Sequence, residues 1–285
     1  MSKKIGIVSK PGRSDLPQLL GELVEWLDGQ GVEWTGDLVT QEYLGKKGGF
    51  DRTQIDQNFD FIVVIGGDGT LLSAARGVGS KETPLLAVNL GGLGFLMSTG
   101  PEQLFDALSS VIAGDYRIQS RAVLVGKVVR NGEIIATYNA LNDFVVSKAA
   151  LARLLQIEVF VDDEFMCSYR ADGLVLSTPT GSTAYSLAAG GPVIAPTVEG
   201  FCLTPICPHT LSNRPVVVPQ VSKFEIVFVG GDDSTFLTVD GQVGLNLRPN
   251  DHIIAEKAGH SVQIIETEKV PFFDVLRSKM SWGSH

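Results

Sequence analysis

Phe61-Ile62-Val63-Val64-Ile65-Gly66-Gly67-Asp68-Gly69-Thr70 is the stretch whose reading decides the fold. Five consecutive apolar residues without polar alternation read as a strand buried on both faces, as in a parallel sheet. Three glycines around a single carboxylate then let the backbone approach a bulky anion and aim N–H groups at it. Thr70-Leu71-Leu72-Ser73-Ala74-Ala75-Arg76 reads as a helix, so the turn stands at a helix N-terminus, where phosphate is favoured. The plainer alternative is an ordinary strand-to-helix turn whose aspartate caps the helix, and taken alone the turn does not choose between the two.

A second stretch, Asp172-Gly173-Leu174-Val175-Leu176-Ser177-Thr178-Pro179-Thr180-Gly181-Ser182-Thr183-Ala184-Tyr185, tips the balance. Leu174 to Ser177 is another strand, a proline-stiffened loop follows, and Thr180-Gly181-Ser182-Thr183 opens a short helix closed by Gly190-Gly191. Hydroxyls and glycines at a helix start can hold phosphate or ribose oxygens, although by themselves they are also common N-caps. Two such sites in one chain suit two phosphate-bearing ligands.

Outward from Phe61, strand and helix signals alternate over the first 115 or so residues. Ile5–Val8 is a strand, Leu16–Gln30 an amphipathic helix closed by Gly31, Val32–Val39 a second strand, and Leu85–Val88 another buried one. Pro101–Ala113 is a helix with Pro101 at its first position, Gly114 past its end, and Leu104, Phe105, Leu108, Val111 and Ile112 on one face. This alternation predicts a doubly wound, mostly parallel sheet over residues 1–120, with ligands outside the carboxyl ends of its strands. From about Arg121 the pattern changes: Val123–Arg130 and Glu133–Tyr138 flank Asn131-Gly132, a strong hairpin signal. Short β runs at Leu155–Val161, Phe165–Tyr169, Val216–Val218, Phe224–Val229 and Phe236–Val239 predict an all-β domain over 121–268. A helix over Pro271–Met280 carries Phe272, Phe273, Val275, Leu276 and Met280 on one side, within a last segment of 269–285.

Composition narrows the function. The chain of 285 residues has 44% apolar and 19% charged residues, ordinary for a globular protein. Its net charge of −9, with no basic run, argues against nucleic-acid binding, and no apolar run is long enough to span a membrane. An acidic chain that handles polyanions needs backbone N–H groups, single Lys or Arg residues, or a divalent cation. Cys167, Cys202 and Cys207 lack metal-site spacing and read as reduced, packing thiols of a cytoplasmic protein.

At these residues the chain resembles the NAD kinase family. The likeness rests on Gly66–Thr70, Asn89-Leu90-Gly91-Gly92-Leu93-Gly94-Phe95, Asn142-Asp143, the Asp172–Gly191 block, Pro208–Pro215 and Asp240-Gly241-Gln242, in the family's order. Gly-Gly-Asp-Gly by itself is shared with diacylglycerol, sphingosine and phosphofructokinases; the Asp172–Gly191 block is what separates this family from them. The resemblance implies ATP-dependent phosphorylation of the 2′-hydroxyl of the adenosine ribose of NAD. Such chemistry needs a base and charge neutralisation on the transferred group. Asp68 is the candidate base and Gly66, Gly67, Gly69 and Thr70 the candidate phosphate cradle. Mg²⁺ or another divalent cation is implied by the chemistry and not by any protein ligand set.

For NAD, the resemblance implies contacts from Asn142 and Asp143 to the adenosine half, although on residues alone an Asn-Asp pair is more often a turn. It further implies Asp172 at the nicotinamide carboxamide, Thr183, Ala184 and Tyr185 along the adenine side, and Gln242. Arg153, Arg170, Ser186 and Ala188 complete the implied set, Arg170 going with use of oxidised NAD. Ala188 stands where many members have serine, so one hydroxyl contact is missing. Phe95 suits base stacking or core packing equally, and His209 reads better as a loop hydrogen-bonder than as a catalyst. Family resemblance also implies a homodimer or homotetramer and a tail, 269–285, that packs on the N-terminal domain. Two other classes stay in view: a kinase for a lipid or sugar hydroxyl, and a non-catalytic NAD(P)-binding regulator, whose expected mark would be loss of Asp68. A Rossmann oxidoreductase is disfavoured because no G-x-G-x-x-G follows a strand.

Overall fold

The computed structural model describes residues 3–55, 57–91, 94–97, 99–148, 153–230, 235–268 and 270–282. The first part of the chain runs β1 (Lys4–Ser9), α1 (Leu16–Gly29), β2 (Glu33–Gly36), α2 (Leu38–Tyr43), β3 (Phe61–Gly66), α3 (Asp68–Val78), β4 (Leu85–Asn89) and α4 (Leu104–Ala113). Strands then dominate: β5 (Arg117–Arg130), β6 (Glu133–Ala140), β7 (Asp143–Lys148), β8 (Leu155–Val161), β9 (Glu164–Ala171) and β10 (Gly173–Ser177). After the one-turn α5 (Tyr185–Ala188) come β11 (Gly200–Ile206), β12 (Val216–Pro219), β13 (Phe224–Gly230), β14 (Thr235–Val239), β15 (Val243–Asn246), β16 (Asp251–Glu266) and α6 (Phe272–Met280). The chain divides into one unit of residues 1–121 and 261–285 and another of residues 122–260.

In the first unit, β2, β1, β3, β4 and the end of β16 lie side by side, all parallel. Every residue of β3 is buried, as its unbroken apolar run predicts. Ile5, Ile7, Val63, Ile65 and Val88 pack with Leu16, Leu20, Leu23 and Leu27 of α1 and with Leu104, Leu108 and Val111 of α4. α3 packs against β1, β3 and β4 without joining that cluster, so helices cover both faces of the sheet. The strand order turns back on itself between β1 and β3: α1 leads from β1 toward β2, and α3 leads from β3 toward β4. That is a topological switch point, outside whose strand ends an open α/β sheet leaves a crevice.

The second unit is antiparallel. One sheet runs β12-β11-β10-β7-β14-β15, and β13, β8 and β9 pair in a second with the first part of β16. Their inner faces share one core that includes Phe144, Phe201, Phe224 and Phe228. The β5–β6 hairpin turns at Asn131 (φ 51°) and Gly132 (φ 82°), the left-handed pair its sequence predicts. Among the described residues no helix is long and apolar enough to cross a membrane.

Two expectations are corrected. The strand expected over Val32–Val39 stops at Gly36, because the Asp37 carboxylate accepts the Thr40 N–H (2.8 Å) and caps α2 instead. The β-rich half also contains strands its sequence hides. β11 includes Pro205, and β16 carries Glu256, Lys257, Gly259 and His260 in its middle, residues that break an alternating apolar signal.

Candidate functional site

Gly66 ends β3 where a side chain has no room. A Cβ there would lie 2.4 Å from Thr70 Oγ1 and 3.0 Å from Lys10 Cβ. The following Gly67 is the N-cap of α3, with extended backbone and no side chain to cap with. Thr70 is buried, and its N–H donates to the Gly67 carbonyl (2.8 Å), so this residue stiffens the turn from beneath. Asp68 occupies the first turn of α3, and its carboxylate is not the helix cap. Surrounding protein displaces water from that carboxylate and raises its pKa, against a smaller lowering by Lys279 of α6, although the residue keeps solvent access. A Cβ on Gly94 would sit 3.1 Å from both Asp68 Oδ1 and Asn89 Nδ2. Asn89, at the end of β4, accepts the Gly91 N–H on Oδ1 (3.0 Å). Phe95 is half-buried in the loop that follows; Gly92 and Leu93 lie outside the described residues.

The second unit holds a cavity of about 270 Å³ lined by Asn142, Asp143, Ala184, Tyr185, Asp240 and Gly241, among others. Its floor is pinned from two sides. On one, Thr178 donates through N–H to the Asn142 carbonyl (2.9 Å) and through Oγ1 to the Leu141 carbonyl (2.6 Å). On the other, the Asp240 carboxylate accepts the N–H groups of Leu141 (3.2 Å), Asn142 (2.7 Å) and Asp143 (3.3 Å). With the Asp240 charge thus held and Asp143 almost fully buried, the Asp143 carboxyl is pushed up to about 7, first by desolvation and then by Asp240. Tyr185, at the start of α5, stays half exposed over this cavity. The backbone of Gly181 presses against Asn142: a Cβ there would lie 2.1 Å from the Asn142 carbonyl oxygen.

The ATP-NAD kinase N-terminal domain model matches residues 5–116 and the ATP-NAD kinase C-terminal domain model residues 141–267. The chain belongs to the ATP-NAD kinase family. The NAD kinase of Solibacter usitatus is 46% identical over 281 residues, covering 99% of this chain and 98% of that one. That of Koribacter versatilis is 44% identical over 282 residues, covering 99% of each chain. Among solved structures, yeast NADH kinase complexed with NADH superposes with a TM-score of 0.90 at 25% identity, over 100% of this chain and 89% of that one. An NAD kinase from Archaeoglobus fulgidus in complex with ATP gives 0.78 at 25% identity, over 98% of each. As an NAD kinase, the chain makes NADP from NAD with ATP as phosphoryl donor.

The remaining expected NAD kinase contacts fall within the second unit. Asp172, half-buried between β9 and β10, is ion-paired to Lys148 (2.7 Å). Arg170 is exposed on β9, Arg153 exposed before β8, Gln242 exposed in the turn after β14, and Ala188 exposed on α5. Thr183 Oγ1 donates to the Thr180 carbonyl (3.2 Å). Ser186 is fully buried with Oγ 2.9 Å from Thr204 Oγ1, which places it beneath α5 rather than on its surface. Asp240 is the organising residue to which sequence reasoning gave no role of its own, reading it as a turn residue and as part of the Asp240-Gly241-Gln242 motif; in the structure its backbone has a positive φ of 50°.

Proposed function

We propose that Asp68 is the general base that takes the proton of the 2′-hydroxyl of NAD's adenosine ribose. The 2′-oxygen then bonds to the γ-phosphorus of ATP, the bond from that phosphorus to the β,γ-bridging oxygen breaks, and ADP leaves with the bridging electrons. The placement of Asp68 carries this: it opens α3 just past the fully buried β3, is not consumed as a helix cap, and has a raised carboxyl pKa. A raised pKa makes a carboxylate a better proton acceptor near neutral pH. Gly66, Gly67 and Gly69 allow phosphate to approach the backbone, with the N-terminal end of α3 behind them. In the second unit, Asn142 reads the adenine edge, Asp143 accepts a ribose hydroxyl, and Tyr185 and Ala184 wall the cavity. Assembly as a homodimer or homotetramer in the cytoplasm belongs to the same reading; sedimentation of the purified protein tests the assembly.

A divalent cation carried on the ATP phosphates supplies charge neutralisation in phosphoryl transfer. Among the described residues no group of three or more His, Cys, Asp or Glu could hold it.

The test is Asp68→Asn, assayed with NAD, ATP and Mg²⁺ for NADP. The amide keeps the shape and the hydrogen bond but accepts no proton usefully. We expect kcat to fall by about 10²–10⁴-fold with the NAD KM nearly unchanged. A folded variant with wild-type kcat would remove Asp68 from the base role.

A further inference from the structure

Beside the Gly66–Thr70 turn, at the switch point between β1 and β3, stands a cation that the reading above leaves without a role. Lys10 directly follows β1. Its N–H donates to the Ile65 carbonyl (2.8 Å), and a Cβ on Gly66 would come within 3.0 Å of Lys10 Cβ. The Lys10 side chain therefore starts at the edge of the crevice that the order β2-β1-β3-β4 opens beyond the strand ends. Its backbone is anchored by Tyr43 of α2, whose hydroxyl donates to the Lys10 carbonyl (3.1 Å) and accepts the Arg13 N–H (2.8 Å). Gly12, at φ 72°, allows the tight turn between these two anchor points.

The charges around Lys10 are unevenly used. Arg13 is paired with Asp15. Lys10 is exposed and forms no ion pair among the described residues. In a chain of net charge −9, a tethered and unpaired lysine next to a glycine turn supplies what a polyphosphate needs and the fold as a whole does not.

We propose that Lys10 binds the β- and γ-phosphates of the donor at this turn and neutralises the charge that gathers on the leaving diphosphate. A compact ammonium on a flexible stem, held only at its backbone end, suits a phosphate chain that shifts as the γ-group departs. The proposal rests on the turn being the phosphoryl-transfer site, and its test is separable from that of Asp68.

In steady-state assays with each substrate varied in turn at a saturating level of the other, Lys10→Met should raise the ATP KM about ten- to a hundred-fold, the loss of one charge-assisted contact, with the NAD KM within about two-fold of wild type. Lys10→Arg should recover most of the loss. Inorganic triphosphate and adenosine, used separately as inhibitors against ATP, divide the effect: only triphosphate inhibition should weaken in Lys10→Met. In the Asp68→Asn background, calorimetric titration with ATP reads the Lys10 contribution whether or not Asp68 is the base. A wild-type ATP KM and triphosphate inhibition constant in Lys10→Met would overturn the proposal. So would equal weakening of triphosphate and adenosine, which would mark a distorted turn rather than a lost charge.

Discussion

Asp143 shows how burying one carboxyl can oppose stability. Its buried carboxyl is pushed up to about 7, while an unfolded aspartate titrates near about 3.9. Between those values the folded chain holds a proton that the unfolded chain has released. Stability therefore falls as pH rises from about 4 to about 7, and the contribution of the protonated form is gone above the folded pKa. Asp143→Asn should flatten that slope and raise stability at pH 8 by about 2–4 kcal/mol. Melting curves from pH 4 to pH 8 check it. The same variant loses an anionic acceptor, so its NAD KM should rise while its ATP KM does not. A slope that survives the substitution would assign the titration to the Asp143–Asp240 pair as a unit. Sequence reasoning singled out Asn142 and Asp143 only through the family resemblance, since the residues alone read as a turn. It had no means of knowing that Asp240, far along the chain, holds their backbone N–H groups and sets the charge beside Asp143.

Elements show where local signals are outvoted. The helix expected from Thr180 becomes a single tight turn at Gly181–Thr183 and then the four-residue α5. Ser182 Oγ donates to the Pro179 carbonyl (2.6 Å) and accepts the Ile194 N–H (2.9 Å), bonds that compete with a regular helix and tie the loop down. Gly181 is required for contact rather than for conformation, because its Cα faces the Asn142 carbonyl. Gly181→Ala should cost about 1–3 kcal/mol by overpacking and should raise the NAD KM, since Asn142 must move to admit the methyl group. Gly132→Ala in the hairpin, strained only by its φ of 82°, is the comparison: lower stability with an unchanged KM. Thermal melts and NAD titrations on the two variants separate the effects. By contrast, β3 and the Asn131-Gly132 hairpin were fully legible, because both depend on neighbours in the sequence alone.

At the scale of the molecule, the chain leaves the first unit and returns to it. The end of β16 pairs Ile264 and Ile265 with Leu85 and Leu86, and α6 follows with Val275 and Leu276 buried. α6 also carries Lys279, whose charge lowers the Asp68 pKa against the desolvation that raises it. Leu276→Ala should cost about 2–4 kcal/mol through lost burial and the cavity left behind. It should also shift the acid limb of the kcat–pH profile upward, because a loosened α6 weakens the field of Lys279 at Asp68. A lower melting temperature with an unmoved acid limb would show that α6 supports the unit without tuning its carboxylate.

The sequence by itself determined the parallel α/β half, the glycine turn with its carboxylate, the β-rich half and the family's motifs. Apolar runs, turn residues and motif order act over a few neighbouring residues, and those are physical signals a sequence carries openly. Tertiary structure alone decided which groups share a field: Asp240 against Asp143, Lys279 against Asp68, Lys10 beside Gly66, Gly181 against Asn142. Each of these pairs is distant along the chain, and its effect depends on burial and distance, which exist only once the strands have found their register.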